Sequence, residues 1–208
     1  MSFFQNTCKP KGLGGSLMVN MMNIGHSPMA EWGLKHIKIN KNDISLDVGC
    51  GGGANIKKLL EKSPKGKVFG IDYSEVSVRK SKKVNKFAVE RKHCEILQGN
   101  VQELPFANET FDLATAFETI YFWSDIDQSF SQIYRVLKKG GIFMVCNESN
   151  GENDKDKKWT EIIKGMKIYT SKEIKYSLEK AGFTHIETNK NAKGWLLSLI
   201  HISEPTRH

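Results

Sequence analysis

The chain has 208 residues, 39% hydrophobic and 26% charged, which suits a single α/β domain with a real core and makes a second full domain unexpected. No run of about 18 apolar residues occurs, so no membrane-spanning helix is expected, and the N-terminus lacks the basic-then-apolar pattern of an export signal. The formal charge of +8 includes only four arginines (Arg79, Arg91, Arg135, Arg207); phosphate recognition leans on arginine, so the charge reads as a lysine-rich solvated surface and a nucleic-acid partner is not expected.

The first 40 residues do not fit a sheet pattern. They read as helical, with Met18, Met21, Met22, Trp32 and Leu34 as apolar anchors. From Ile44 to Val145 strand signals alternate with helix signals, the pattern of a parallel sheet covered on both faces. Ile44–Val48 is the first strand. A helix with Ile56, Leu59 and Leu60 on its buried side follows a glycine turn, and Lys67–Ile71 is the second strand. Ser74 can cap a helix running towards Arg91. Glu95–Gln98 and Phe111–Phe117 are the third and fourth strands. Ile126–Leu137 is a helix, closed by Lys138-Lys139-Gly140-Gly141, and Ile142–Cys146 is the fifth strand. Ser149–Lys158 reads as an exposed polar loop. Thr170-Ser171-Lys172-Glu173 is a capping box for a helix ending at Ala181-Gly182. Phe183–Glu187 and Trp195–Ile200 are two further strands. The linker Thr188–Gly194 is too short for a crossover helix, so these strands should pair antiparallel.

Leu46-Asp47-Val48-Gly49-Cys50-Gly51-Gly52-Gly53 joins a strand ending in an acid to a turn whose glycines, Gly49, Gly51 and Gly53, let a ligand approach bare backbone. It satisfies the relaxed dinucleotide fingerprint with Ala54 in the last place. A pyrophosphate on this turn would be repelled by Asp47, whereas an ammonium would be attracted; the other reading of Asp47 is a tie for the local turn. Asp72 ends the second strand, where a carboxylate can accept ribose hydroxyls, and Tyr73 can lie against an adenine. Glu118-Thr119-Ile120-Tyr121-Phe122-Trp123 follows the fourth strand and should face the site; its rings, Tyr121 and Trp123 among them, either wall an acceptor pocket or pack under the next helix. His26, in Asn20-Met21-Met22-Asn23-Ile24-Gly25-His26, is a candidate base or substrate contact, or a capping or surface histidine. The four cysteines (Cys8, Cys50, Cys94, Cys146) form no CxxC, and His36, His93 and His185 have no partner pattern suggesting a metal. Reduced thiols, a cytoplasmic location and no metal are therefore expected.

The glycine turn, then Gly70-Ile71-Asp72-Tyr73-Ser74, Gly99–Phe106, Phe111-Asp112-Leu113 and Leu137–Gly141, resemble in order and spacing the motifs of class I S-adenosylmethionine-dependent methyltransferases across about residues 40–150. The small-molecule branch that includes ubiquinone and menaquinone biosynthesis is the nearest in flavour, and Tyr169–Glu173 with Ala181-Gly182-Phe183 resembles the family's late helix. The resemblance implies a doubly wound, Rossmann-like, mostly parallel seven-stranded sheet with a C-terminal antiparallel hairpin. A helical lid would span 1–40 and the methyltransferase domain 41–208. It implies S-adenosyl-L-methionine held by Asp47, Gly49, Gly51, Gly53, Asp72, Tyr73, Asn100, Val101 and Phe117, and a small methyl acceptor near His26, Tyr121 and Trp123. The family has Gly-Asp-Ala where this chain has Gly99-Asn100-Val101; Asn100 keeps an acceptor oxygen for the adenine amino group and loses the charge. Ser198–Arg207 resembles a translated sequencing adapter, so the native chain is expected to end near Leu197, and residues from about 198 are candidates for non-native sequence.

Two rivals share much of this pattern: an NAD(P)-dependent reductase and a non-catalytic S-adenosylmethionine-binding module. A nucleic-acid methyltransferase with Asn/Asp-Pro-Pro-Tyr/Phe after the fourth strand is not matched by Phe117-Glu118-Thr119-Ile120.

Overall fold

The computed structural model describes Pro10 and residues 12–202; residues 1–9 with Cys8, residue 11, the tail 203–208 and the side chains of Leu13, Ser16, Asn20, Met22, Asn23, Asp154, Lys155 and Lys157 lie outside the described residues. Two helices come first, α1 (Gly12–Gly25) and α2 (Ser27–Leu34). Strands and helices then alternate: β1 (Ile44–Val48), α3 (Ala54–Lys62), β2 (Lys67–Asp72), α4 (Glu75–Val84), α5 (Lys86–Glu90), β3 (Cys94–Gln98), β4 (Phe111–Phe117), α6 (Ile126–Val136) and β5 (Leu137–Asn147). After α7 (Asp154–Ile162) and α8 (Ser171–Lys180), β6 (Thr184–Lys190) and β7 (Leu196–His201) close the chain. None of the described helices is long and apolar enough to cross a membrane.

The seven strands form one sheet in the order β3-β2-β1-β4-β5-β7-β6. All pairings are parallel except β5–β7 and β6–β7. The expected final hairpin is present, because the five residues between β6 and β7 cannot carry a strand back across the sheet. Both faces are buried. Ala114, Phe143, Val145 and Ile200 point to a core completed by α6 and α8. Leu113, Met144, Cys146 and Leu197 alternate with them and meet α2, α3 and α4 through Met29, Ala30, Leu34, Ile56, Leu59 and Val78. This period of two, apolar on both faces, is what a doubly covered strand requires.

Three details differ from the sequence reading. The helix towards Arg91 divides at Asn85, whose Nδ2 donates to the carbonyls of Ser81 (3.0 Å) and Gly53 (3.0 Å), a local alternative to the helix ladder. Lys138–Gly141 does not close α6 but belongs to β5, where Gly140 takes φ +75° and the register with β4 shifts; Lys138 Nζ reaches Asp112 Oδ1 at 2.8 Å. Part of the polar run Ser149–Lys158 is helical. Asn153 caps α7, and the buried Asp156 carboxylate accepts the N–H groups of Asn150 and Gly151. Ser198–His201 pairs in register with β5 and β6, in line with the strand expected over Trp195–Ile200. Among the described residues of the N-terminal segment, α1 and α2 supply the expected helix: Met18 and Leu34 are buried, whereas Met21 is exposed.

Candidate functional site

The strand order reverses between β1 and β4, and open α/β sheets bind ligands at the carboxyl ends of strands beside such a reversal. A cleft of about 280 Å³ opens there, near the roughly 300 Å³ lower bound of small-molecule pockets. Val48, Asp72 and Phe117 bring the ends of β1, β2 and β4 to its wall.

After β1 the N–H groups of Gly49 and Cys50 donate to Ile71 O (2.8 and 3.1 Å), which folds the turn over the end of β2. Gly49 has φ +70°, and a Cβ there would lie 2.0 Å from Thr119 Oγ1. Gly51 has φ +50°, yet a Cβ there would meet nothing within 4 Å. Gly51 lines the cleft, so that open space is part of the cleft. Gly51→Ala should therefore leave the fold intact at a cost of about 1–2 kcal/mol of left-handed strain. The melting temperature should drop by about 2–4 °C per kcal/mol, and a clear loss of ligand affinity should accompany it. Thermal melts and calorimetry on one preparation check both; unchanged affinity would remove Gly51 from the ligand wall.

The structure brings Gly49, Gly51, Asp72, Tyr73, Asn100, Val101, Phe117 and Trp123 to the cleft, and Asp47, Gly53, Tyr121 and His26 are not on its wall. Asp72 Oδ2 accepts Gly51 N–H at 2.9 Å and Oδ1 accepts Ser74 N–H at 2.8 Å. Burial raises its pKa, and these two bonds oppose the rise. Each oxygen keeps a lone pair for a ribose hydroxyl. Asn100 Oδ1 accepts Gln102 N–H at 3.1 Å, and its amide faces Gln102 Oε1 at 3.2 Å. An aspartate would accept the same N–H more strongly, so Asn100→Asp should bind the adenosyl ligand at least as tightly as the natural chain. A raised dissociation constant would show that the Asn100 amide serves another contact.

Asp47 lies in β1 opposite Thr115 of β4. Thr115 Oγ1 donates to Asp47 Oδ1 at 2.7 Å, while Oδ2 is buried without a hydrogen bond. Burial pushes its pKa up to about 7, and the nearby Asp72 adds to the rise. Asp47 thus acts from beneath the turn and not as part of the wall. Gly53 caps α3 with φ +81°, and a Cβ there would lie 2.4 Å from Ser81 Oγ; its role is the close approach of α3 to α4.

Glu118, which sequence reasoning named only as part of a segment, lines the cleft with φ +56°. Burial pushes its carboxyl up to about 7. Tyr121 donates to Glu118 Oε1 at 3.0 Å and so holds this carboxylate instead of walling the pocket. Trp123 is on the wall, with Nε1 3.3 Å from Thr119 Oγ1. Pro10 reaches the rim and its carbonyl accepts Ser74 Oγ–H at 3.0 Å.

The fit to the implied nucleoside rests on charge. The wall carries the carboxylates of Asp72 and Glu118, and no lysine, arginine or histidine among the described residues lines it. In a chain of net charge +8 such a cleft suits a cation without phosphate.

Known proteins agree with this geometry. A family model for a methyltransferase domain matches residues 46–145. YrhH of Bacillus subtilis, named a putative methyltransferase, is 30% identical over 131 residues, covering 62% of this chain and 69% of that protein. The 24-methylenesterol C-methyltransferase 3 of Arabidopsis thaliana is 29% identical over 168 residues, covering 76% of this chain; the chain spans 46% of that protein's length. The crystal structure of an S-adenosylmethionine-dependent methyltransferase from Aquifex aeolicus superposes with a TM-score of 0.74 over 90% of this chain and 98% of that one, at 23% identity. A sheet reversed between β1 and β4, an acid at the end of β2, a phosphate-averse cleft and these relatives have one common description: the chain belongs to the class I S-adenosylmethionine-dependent methyltransferases.

Proposed function

We propose that this chain transfers the methyl group of S-adenosylmethionine to a small acceptor. The observation that carries the reading is the cleft wall with two carboxylates and no cation among its described residues. When bound, S-adenosylmethionine supplies an electrophilic methyl on a sulfonium. Asp72 orients the ribose, Asn100 and the Val101 backbone take the adenine edge, and the bare Gly49–Gly51 backbone admits the amino-acid end. Phe122 and Trp123 give the acceptor side an aromatic wall that excludes water. Holding donor and acceptor in line can supply roughly 7–11 kcal/mol of the barrier, so no covalent nucleophile is needed.

Pro10 sits at the cleft, whereas α2 is fixed in the core, with Met29 and Ala30 buried and Gly33 against Cys146. Three free buried thiols, Cys50, Cys94 and Cys146, fit a reducing, cytoplasmic setting. Sterol and demethylmenaquinone methyltransferases among the relatives favour an acceptor with an apolar body.

A calorimetric comparison of S-adenosylmethionine, S-adenosylhomocysteine and NADH tests the reading. The first two should bind and raise the melting temperature, and NADH should do neither. NADH binding without S-adenosylmethionine binding would overturn it.

A further inference from the structure

We propose that His26, Glu118 and Glu148 form a binding site for a divalent transition-metal ion, set directly behind the cleft wall. Among the described residues these three offer one ligand atom each within 4.8 Å of one another. His26 Nδ1 lies 3.5 Å from Glu148 Oε1 and 3.8 Å from Glu118 Oε2. That nitrogen is buried and makes no hydrogen bond. A charge-assisted pair would close to about 2.7–2.9 Å. Ligands bound at 2.0–2.2 Å to one four- or six-coordinate ion stand roughly 3–3.5 Å apart, so His26 would close by a few tenths of an ångström on each carboxylate as the set, within 4.8 Å, contracts around the ion.

The surroundings orient the ligands. Glu118 Oε1 accepts the N–H of Glu148 and the Tyr121 hydroxyl, and that hydroxyl accepts Ser149 N–H at 3.0 Å. Glu118 Oε2 is thereby left towards His26. Such outer bonds fix ligating carboxylates in metal sites. His26 is held by the start of α2, whose next turn is anchored through Met29 and Ala30. Two carboxyl groups and an imidazole nitrogen share one small space, and a bound cation would supply there the positive charge that a proton on His26 otherwise supplies. The set of one nitrogen and two oxygens suits zinc, manganese, iron or cobalt in the divalent state. Three protein ligands leave at least one position open to water or to a ligand oxygen. Since Glu118 also lines the cleft, the ion and the methyl-transfer site share a side chain.

The test is titration of the untagged full chain with Co²⁺, read by calorimetry and by visible absorption, with Zn²⁺ as competitor. One Co²⁺ should bind per chain with a visible d–d band, and Zn²⁺ should displace it. His26→Ala and Glu148→Gln should each weaken binding at least tenfold and lose the band. Retained S-adenosylhomocysteine binding in the variants identifies those that are folded. No stoichiometric binding by the natural chain, or binding unchanged in a folded variant, overturns the site and leaves a bare ion pair.

Discussion

Asp72→Ala should weaken S-adenosylmethionine at least tenfold. A hydrogen bond to a charged group contributes about 1.5–3 kcal/mol, and each 1.4 kcal/mol is tenfold in affinity. Asp72 is placed to make two such bonds, one from each ribose hydroxyl. It also holds the binding turn, since its oxygens accept the N–H groups of Gly51 and Ser74. The variant leaves those donors unpaired, so a stability loss of about 1–3 kcal/mol should accompany the loss of affinity. Asp72→Asn separates the two effects. It keeps an acceptor for one N–H and the shape of the side chain, so its melting temperature should fall less, while the ligand still loses a charged partner. Calorimetry and melting curves on both variants provide the check. An unchanged dissociation constant in Asp72→Ala removes Asp72 from the ribose role whatever the melting temperature does.

That Gly49, Gly51 and Asp72 line one cleft was legible in the sequence for one physical reason, whereas Asn100, Val101 and Phe117 were pointed to by the family resemblance. Parallel α/β sheets present the carboxyl ends of their strands together, so residues at strand ends share a site before any contact is known. The bounds of β1 and β4 and the capping box of α8 were equally readable, because alternation and caps are local signals. Lys138–Gly141 misled because lysines followed by glycines are a valid local helix stop. The contact that draws this segment into β5 is tertiary, with Asp112 accepting from Lys138 Nζ on one oxygen and from Ile44 N–H on the other. The direction of Asp47 was readable in principle. Leu46 and Val48 on either side of it face one core, so the period of two sends Asp47 to the opposite face, away from them. The meeting of His26, Glu118 and Glu148 had no local signal. The three come from the start of α2 and from beyond the ends of β4 and β5, and only the assembled sheet brings them together.

Asp47→Asn should change stability and binding in opposite directions at neutral to alkaline pH. In the folded chain Asp47 has a pKa near 7, raised chiefly by burial and further by the facing Asp72; unfolded, it returns to about 3.9. Between these values the folded state binds more protons than the unfolded one. Its contribution to stability therefore falls as pH rises from about 4 to about 7 and is flat above. Three pKa units correspond to roughly 4 kcal/mol at most, and an effect of about 1–3 kcal/mol is expected after relaxation. The asparagine variant cannot ionise. It can still accept from Thr115, and its amide group replaces the orphan Oδ2. Whatever the offset from that amide, the stability of the variant relative to the natural chain should increase from pH 5 to pH 8. Cys50, whose thiol burial holds well above its ordinary range, stays neutral throughout and does not blur the comparison. The ligand reads the same charge with the opposite sign. Removing a carboxylate beneath the turn takes away attraction for an ammonium, so S-adenosylmethionine should bind several-fold more weakly at pH 8. NADH should still not bind, because Asp72 and Glu118 remain on the wall to repel a pyrophosphate. Denaturant titrations at pH 5 and pH 8, with calorimetry of both ligands, decide the matter. A stability difference that does not change with pH would mean that Asp47 is not held as a buried acid, and NADH binding by the variant would mean that Asp47 alone sets the choice of cofactor.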